Sequence, residues 1–151
     1  MDSEYLWLKF AHILIAIIAI GTSAGLAFWL EFYADHPVHG GYVLRAVRRL
    51  LLRVVFPGYV LMLITGIWMG HLASLLDAHW AETAMNLWGL GAMFIAGSVF
   101  VLKKQISVLE SDGPSSRAYR RLALLGRLFG GGTGAVVVVI LYFMVIKPTQ
   151  P

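Results

Sequence analysis

The sequence predicts an all-α membrane protein, with four transmembrane helices in one bundle and both termini on the outer side. The chain has 151 residues, 59% of them hydrophobic, and its apolar residues form four long runs. Each run approaches the roughly 20 residues that a helix needs to cross a bilayer. Ten of the twelve Lys and Arg residues lie in the connections that follow the first and third runs. Length, hydrophobicity and charge therefore agree on one architecture.

The predicted spans cover about residues 6–30, 54–72, 85–103 and 128–147 and form a single domain. Basic connections face the cytoplasm in membrane proteins, which predicts an N-out, C-out topology in a bacterial inner membrane. The first run follows Asp2 and Glu4 and is longer than a signal-peptide core, so we expect a retained helix. Tryptophans at positions 7, 68, 80 and 88 are expected near the outer interface.

An offset of 72 residues aligns the two halves of the chain without a gap. Under this offset Arg45–Leu52 falls on Arg117–Leu124, and Ala24-Gly25 falls on Ala96-Gly97. The match favours two duplicated helix hairpins, a 2+2 bundle. The alternative is convergence, because any basic loop that enters a span tends to read as arginine followed by leucine. His12 falls on Ala84, so the first half has a polar group that the second half lacks.

Composition excludes several classes of function. The chain has no cysteine, which removes disulfides, thiolate metal sites and cysteine nucleophiles. Its net charge of +4 is explained by the basic loops and does not indicate nucleic-acid binding. No Asp or Glu lies within a predicted span, which disfavours a proton pump or a cation transporter. Phosphate-binding loops, serine elbows and zinc motifs are missing from the sequence.

Histidines are the side chains best suited to carry chemistry here. His12 lies inside the first apolar run, on a face shared with Ala16, Ala19 and Ser23. Ionisable groups within spans usually face the bundle interior and mark function. His71 ends the second run, and counting residues from the basic loops places it at about the height of His12. Since imidazole is a common haem ligand, the pair predicts a haem b site. A hydrogen bond between helices for His12 and an interfacial position for His71 are the structural alternatives.

A weaker alternative is copper. His79, with Met69 or Met85, would combine imidazole with thioether ligands, a combination that suits Cu(I). Methionines in spans more often serve packing, however. His36 and His39 lie in the first basic loop, where we expect them to be solvated or to form at most a weak metal site.

Three glycine-rich faces predict close helix packing. They are Gly21-x-x-x-Gly25, Gly66-x-x-x-Gly70 and the run from Gly130 to Gly134. Small residues let helix backbones approach one another, within the chain, against a membrane protein partner or against a second copy. The same faces on the first and fourth spans would also leave room for a porphyrin or a quinone. An accessory subunit of a larger membrane complex, without catalysis, is therefore the principal alternative to a haem protein.

Several motifs resemble those of HemJ-type protoporphyrinogen oxidases. The similar segments are Leu6–Ile13, Arg48–Leu50, Pro57, Thr65–Trp68 and the closing Lys147-Pro148. The chain also resembles the bacterial membrane family called domain of unknown function 2269, a relative of HemJ-type and CopD-type proteins. HemJ-type proteins are small helical membrane proteins linked to haem b. The resemblance implies that their haem-binding histidine of the first span corresponds to His12.

One departure limits what the resemblance implies about catalysis. HemJ-type proteins carry a lysine just after a tryptophan early in the third span. Here Gly89-Leu90-Gly91 follows Trp88, and the next lysine is Lys103. The resemblance therefore implies a haem or porphyrin site at His12, with a redox or porphyrin-handling role, rather than oxidation of protoporphyrinogen.

Overall fold

The chain folds into long helices that pair as two antiparallel hairpins. A computed structural model describes residues 3–36 and 38–146, so Asp2, Lys147 and Pro148 lie outside the described residues. Its elements are α1 (Ser3–Tyr33), α2 (Gly40–Leu50), a π-helical segment (Leu51–Val55), α3 (Phe56–Leu72), α4 (His79–Asp112) and α5 (Arg117–Ile146). Four helical stretches are long and apolar enough to span a membrane, as the sequence predicted, and the described residues contain no strand.

A short turn joins the end of α1 at Tyr33 to the start of α2 at Gly40. The backbone at residue 40 lies so close to the end of α1 that it requires glycine, because a Cβ on Gly40 would overlap the carbonyl oxygen of Ala34. Nδ1 of His36 accepts the backbone N–H groups of Val38 and His39, each at 3.2 Å. The chain therefore re-enters a helix by Gly40, close to the helix start that the sequence predicts at Tyr42.

The π-helical segment lets α2 continue into α3 as one long stretch. Pro57 has no backbone N–H and would crowd the carbonyl four residues earlier in a regular helix. The N–H of Phe56 bonds to the carbonyl oxygen of Leu51, the wider spacing of a π turn. This widening accommodates the proline without breaking the helix.

In the second hairpin, α4 packs along the length of α5. Gly113, with φ of 78°, ends α4, and the Oγ of Ser116 accepts the N–H of Tyr119 at the start of α5. Higher in the hairpin, the Phe94 ring occupies the space that a Cβ on Gly132 would need. The Phe129 ring does the same at Gly97. Rings over glycines bring the α4 and α5 backbones together.

The buried core sits at the end of the bundle that carries the basic residues. Its members include Val43, Leu44, Val47 and Leu51 from the second helical stretch, with Leu26 and Leu102 from α1 and α4. Tyr119 of α5 is fully buried among them, and its hydroxyl donates to the carbonyl oxygen of Ala34 at 2.7 Å. This bond joins the second hairpin to the turn of the first.

Helix bounds follow the internal repeat approximately. Adding 72 to α1 gives residues 75–105, against His79–Asp112 for α4. Adding 72 to the stretch from Gly40 to Leu72 gives 112–144, against Arg117–Ile146 for α5. The two hairpins therefore have corresponding helices, which favours duplication over convergence of the loops alone.

We predict that Tyr119→Phe destabilises the protein by about 1–3 kcal/mol, because the buried Ala34 carbonyl loses its side-chain donor. The measurement is the free energy of unfolding in mixed detergent micelles. Tyr42→Phe is the control, since Tyr42 is 70% exposed, and it should leave stability unchanged. Equal effects of the two substitutions would contradict the assigned role of the Tyr119 hydroxyl.

Candidate functional site

His12 lies half-buried between α1 and α3 and is hydrogen-bonded across them. Its Nδ1 is 2.7 Å from the Oγ1 of Thr65. The structural alternative that the sequence left open, a histidine bonded to a neighbouring helix, is therefore present in this structure. Such a bond does not exclude ligation, since ligating histidines characteristically donate their other ring nitrogen to a fixed acceptor.

The hydrogen bonds of Thr65 indicate which nitrogen of His12 carries the proton. The Thr65 hydroxyl donates to the carbonyl oxygen of Leu61 at 2.7 Å, with Met62 more distant at 3.3 Å. A hydroxyl has one proton to donate, so Thr65 acts as the acceptor toward His12. The proton of neutral His12 is thereby assigned to Nδ1, and the lone pair of Nε2 is left available.

Two contacts fix the register of α1 against α3. A Cβ on Gly58 would lie 2.8 Å from the Cβ of Ala19, and one on Gly66 would lie 3.4 Å from Cε1 of His12. In two antiparallel helices, residues that face each other have numbers with a constant sum. That sum is 77 for Gly58 with Ala19 and also for Thr65 with His12. Glycines thus let the two helices approach closely on either side of the histidine.

This register does not bring His71 to the height of His12. With a sum of 77, His71 stands opposite Leu6, six residues beyond Thr65, or about 9 Å along the helix axis. The expectation of equal heights was wrong because it counted α3 from Arg53. The helical hairpin in fact turns between Ala34 and Gly40. His71 is exposed near the end of α3, and this register disfavours the predicted role of His71 as a second ligand to the same iron.

A large groove opens between α1 and α5, with a volume of about 650 Å³. Its walls carry small residues: Ala19, Ser23, Ala24 and Ala27 from α1, and Gly126, Gly130, Gly131 and Gly134 from α5. The sequence predicted that the small faces of these spans would leave room for a flat ligand. His12 lies on the same face of α1 as Ala19 and Ser23, two turns from the end of the groove.

The groove is polar at the basic end of the bundle. Arg127 of α5 donates to Glu31 of α1 at 2.9 Å, and both residues line the groove. Gln105, a buried polar residue of α4, lines it as well. An apolar body with a polar mouth suits an amphipathic ligand that enters from the membrane.

Tyr59 and Trp88 hold α3 against α4 at the inner wall of the groove. The Tyr59 hydroxyl donates to the Trp88 carbonyl at 3.0 Å, and Nε1 of Trp88 donates to the Tyr59 carbonyl at 3.2 Å. Their rings stack with centroids 4.9 Å apart. Tyr59 follows Gly58, which faces Ala19, so this pair lies level with the middle of α1. A position of Trp88 near the outer interface stays a prediction.

The residues of the copper alternative lie around the connection from α3 to α4. Met69 is in the last turn of α3, His79 begins α4, and Met85 lies further along it. Within residues 3–36 and 38–146, no group of three or more His, Cys, Asp or Glu is arranged to hold a metal ion. The rings of His36 and His39 stack at 4.7 Å, and Nδ1 of His36 is occupied by backbone donors.

The polar pair of the first hairpin has no counterpart in the second. At the offset of 72, His12 and Thr65 correspond to Ala84 and Val137, and Gly66 corresponds to Val138. Both partners and the adjacent glycine are therefore particular to the first hairpin. The sequence identified His12 but not Thr65, since a threonine that bonds back to its own helix looks ordinary in a span. Identifying Thr65 requires the register of α1 against α3, which the sequence does not show.

The fold and this site define a four-span integral membrane protein with a histidine hydrogen-bonded between α1 and α3 and a groove between α1 and α5. The chain belongs to the family described as a predicted integral membrane protein, DUF2269, whose model matches residues 6–148. No curated protein and no solved structure matches the chain. Membership of this family was predicted from the sequence motifs and is confirmed, while the relationship to HemJ-type and CopD-type proteins stays a prediction.

We predict that Gly91→Ala destabilises the bundle by about 1–3 kcal/mol, because the new Cβ would overlap the Tyr59 hydroxyl. Gly89→Ala is the matched control on the same helix, since no atom lies within 4 Å of a Cβ there. Unfolding in detergent should separate the two variants. If Gly91→Ala were as stable as Gly89→Ala, the close approach of Tyr59 to α4 would be contradicted.

Proposed function

We propose that this membrane protein binds haem b, which His12 would hold through Nε2. The hydrogen bond from His12 to Thr65 carries the proposal. It orients the imidazole, leaves the Nε2 lone pair available and supplies the outer partner that ligating histidines usually have. The hydrogen bond between His12 and Thr65 needs no metal or cofactor to explain it. The proposal therefore depends on the lone pair that this bond leaves available on Nε2.

The groove supports the same proposal by its size and composition. Its volume of about 650 Å³ falls within the roughly 300–1,000 Å³ typical of small-molecule sites. Small residues continue from His12 through Ala16 and Ala19 on one face of α1, which suits contact with a flat apolar ring. His12 is the protein ligand in this proposal, because the register separates it from His71.

A bound haem would supply one-electron chemistry that no side chain of this protein supplies. The chain itself would position the ring through His12, keep the ring's edge away from water between α1 and α5, and exchange ligands through the open side of the groove. Such an arrangement suits a redox or porphyrin-handling role, with a membrane quinone as the electron partner.

We predict that protein purified in mild detergent shows a Soret band, with α and β bands after dithionite reduction. His12→Ala should abolish these bands. Thr65→Val keeps the shape of the side chain but removes the acceptor, and it should weaken haem binding by about 10–100-fold. His71→Ala is the control and should keep the spectrum.

A wild-type protein that stays colourless after haem is added would overturn the proposal. A haem spectrum unaffected by His12→Ala would overturn the ligand assignment. If His71→Ala also lost the bands, both histidines would be ligands of the haem. The separation of His71 from His12 by the register of α1 against α3 would then be contradicted.

A second candidate function is that of an accessory subunit without a cofactor. It is favoured by Gly21 and Gly25 of α1, because a Cβ on either would meet no atom within 4 Å of the described residues. Their predicted packing role is therefore not fulfilled within the chain. A colourless protein that copurifies with a larger membrane complex, and loses it in Gly21→Leu, would favour this candidate.

We also propose that the basic end of the bundle faces the cytoplasm of a bacterial inner membrane. The support is the placement of ten of twelve basic residues at that end. The basic end is marked by the turn at Ser115, and the opposite end by the connection that contains Ser74.

We predict opposite labelling of two introduced cysteines, since the natural chain has none. Ser74→Cys should react with a membrane-impermeant maleimide on cells whose outer membrane alone is permeabilised. Ser115→Cys should react only after the inner membrane is opened. The reverse pattern would contradict the proposed orientation.

A further inference from the structure

Four arginines surround a second cavity at the basic end of the bundle, away from the groove. The cavity has a volume of about 320 Å³ and is lined by Arg45, Arg48, Arg49, Arg53, Leu52 and Ile106. Arg45, Arg49 and Arg53 follow one another at intervals of four residues, with Arg48 three residues after Arg45, so the arginines lie on one side of α2 and the π-helical segment. Ile106 of α4 closes the opposite side.

Positive charge in this cavity is poorly compensated by the chain. Arg45 is paired with Glu110 at 3.0 Å. The other salt bridge among residues 3–36 and 38–146 joins Arg127 to Glu31, in the groove. Arg48, Arg49 and Arg53 therefore have no carboxylate partner within the described part of the chain. Three guanidinium groups concentrated in this way favour an external anion.

Arg48 gives the most specific indication. Its Nε is buried and has no hydrogen-bond partner among the described residues. A buried unsatisfied donor of a charged group is costly, and natural proteins usually satisfy such donors with a partner or a ligand. Guanidinium groups match phosphate oxygens in a two-point geometry.

The remaining lining residues indicate the source of the phosphate. Leu52 is 39% exposed, on the same stretch as the arginines, and Ile106 is half-buried opposite. An inorganic anion would gain nothing from these side chains, whereas the glycerol and upper acyl carbons of a phospholipid would cover them. Basic pockets at the ends of transmembrane helices are typical sites for anionic headgroups.

We propose that this arginine pocket binds the phosphodiester group of an anionic glycerophospholipid. The phosphate lies among Arg48, Arg49 and Arg53, and the lipid backbone lies against Leu52 and Ile106. The bound lipid neutralises the basic end of the first hairpin. This inference is independent of haem, because the pocket and the groove are lined by different residues.

The internal repeat provides a matched control. At the offset of 72, Arg48 and Arg49 correspond to Arg120 and Arg121 of α5, both of which are exposed and line neither cavity. Replacing either pair with glutamine removes the same charge from the same end of the bundle. A difference between the two double variants therefore reports the pocket rather than general attraction to an anionic surface.

Native mass spectrometry of the detergent-solubilised full chain, titrated with phosphatidylglycerol, tests the proposal. The wild type should retain one phosphatidylglycerol, and phosphatidylcholine should bind about tenfold more weakly. Arg48→Gln with Arg49→Gln should weaken binding at least about tenfold, while Arg120→Gln with Arg121→Gln should bind as the wild type does. Arg49→Gln alone, at an exposed position, keeps the test available if the Arg48 substitution prevents folding, and it should weaken binding about fivefold.

Three outcomes would overturn the proposal. Equal loss in both double variants would show nonspecific charge attraction. Equal retention of phosphatidylcholine and phosphatidylglycerol would show that the headgroup charge is not recognised. Displacement of the lipid by millimolar inorganic phosphate, with phosphate bound in its place, would assign the pocket to a free anion.

Discussion

The register between α1 and α3 is the constraint on which the rest of the structure depends. It is set by the tight turn at Gly40 and by the contact of Gly58 with Ala19. In a bilayer the backbone must satisfy its own hydrogen bonds, so the helices are fixed and the remaining freedom is how they slide and rotate. Once the register is set, His12 meets Thr65, and His71 lies about 9 Å further along α3.

The groove lies between the two hairpins, and small residues on the facing sides of α1 and α5 leave it open. In the second hairpin, phenylalanine rings over Gly97 and Gly132 draw α4 and α5 together. The first hairpin places small residues on the side of α1 that faces α5, where no large side chain fills the space. Contacts between α1 and α5 are few, and the ion pair of Glu31 with Arg127 is the main link between them. A duplicated scaffold thus becomes asymmetric through side-chain size.

Much of the architecture was predictable because it follows from length, hydrophobicity and charge. The four spans and the placement of the basic residues between them are features that a sequence carries directly. The lone polar group of the first span, His12, was equally visible. Its partner was not, because Thr65 becomes significant only when two helices have a fixed register. The equal height assigned to His71 was wrong for the same reason, since Arg53 does not mark the end of the loop.

Four of the arginines that indicate the topology also line a cavity. Counting basic residues treats Arg48 and Arg120 alike, because both fall in loops that the positive-inside rule would keep in the cytoplasm. In the structure, Arg48 is partly buried and lines a cavity together with Ile106 of α4, whereas Arg120 is exposed. The linear sequence does not show that α4 lies beside Arg48.

The most direct test of this account is the protonation of the His12 ring in haem-free protein. Nitrogen NMR of histidine-labelled protein, with His12→Ala to assign the signals, distinguishes the two ring nitrogens. The account predicts a neutral imidazole protonated at Nδ1, with an unprotonated Nε2, and a change in this pattern in Thr65→Val. A wild-type ring protonated at Nε2 instead, or unchanged by Thr65→Val, would contradict the hydrogen bond on which the proposed site depends.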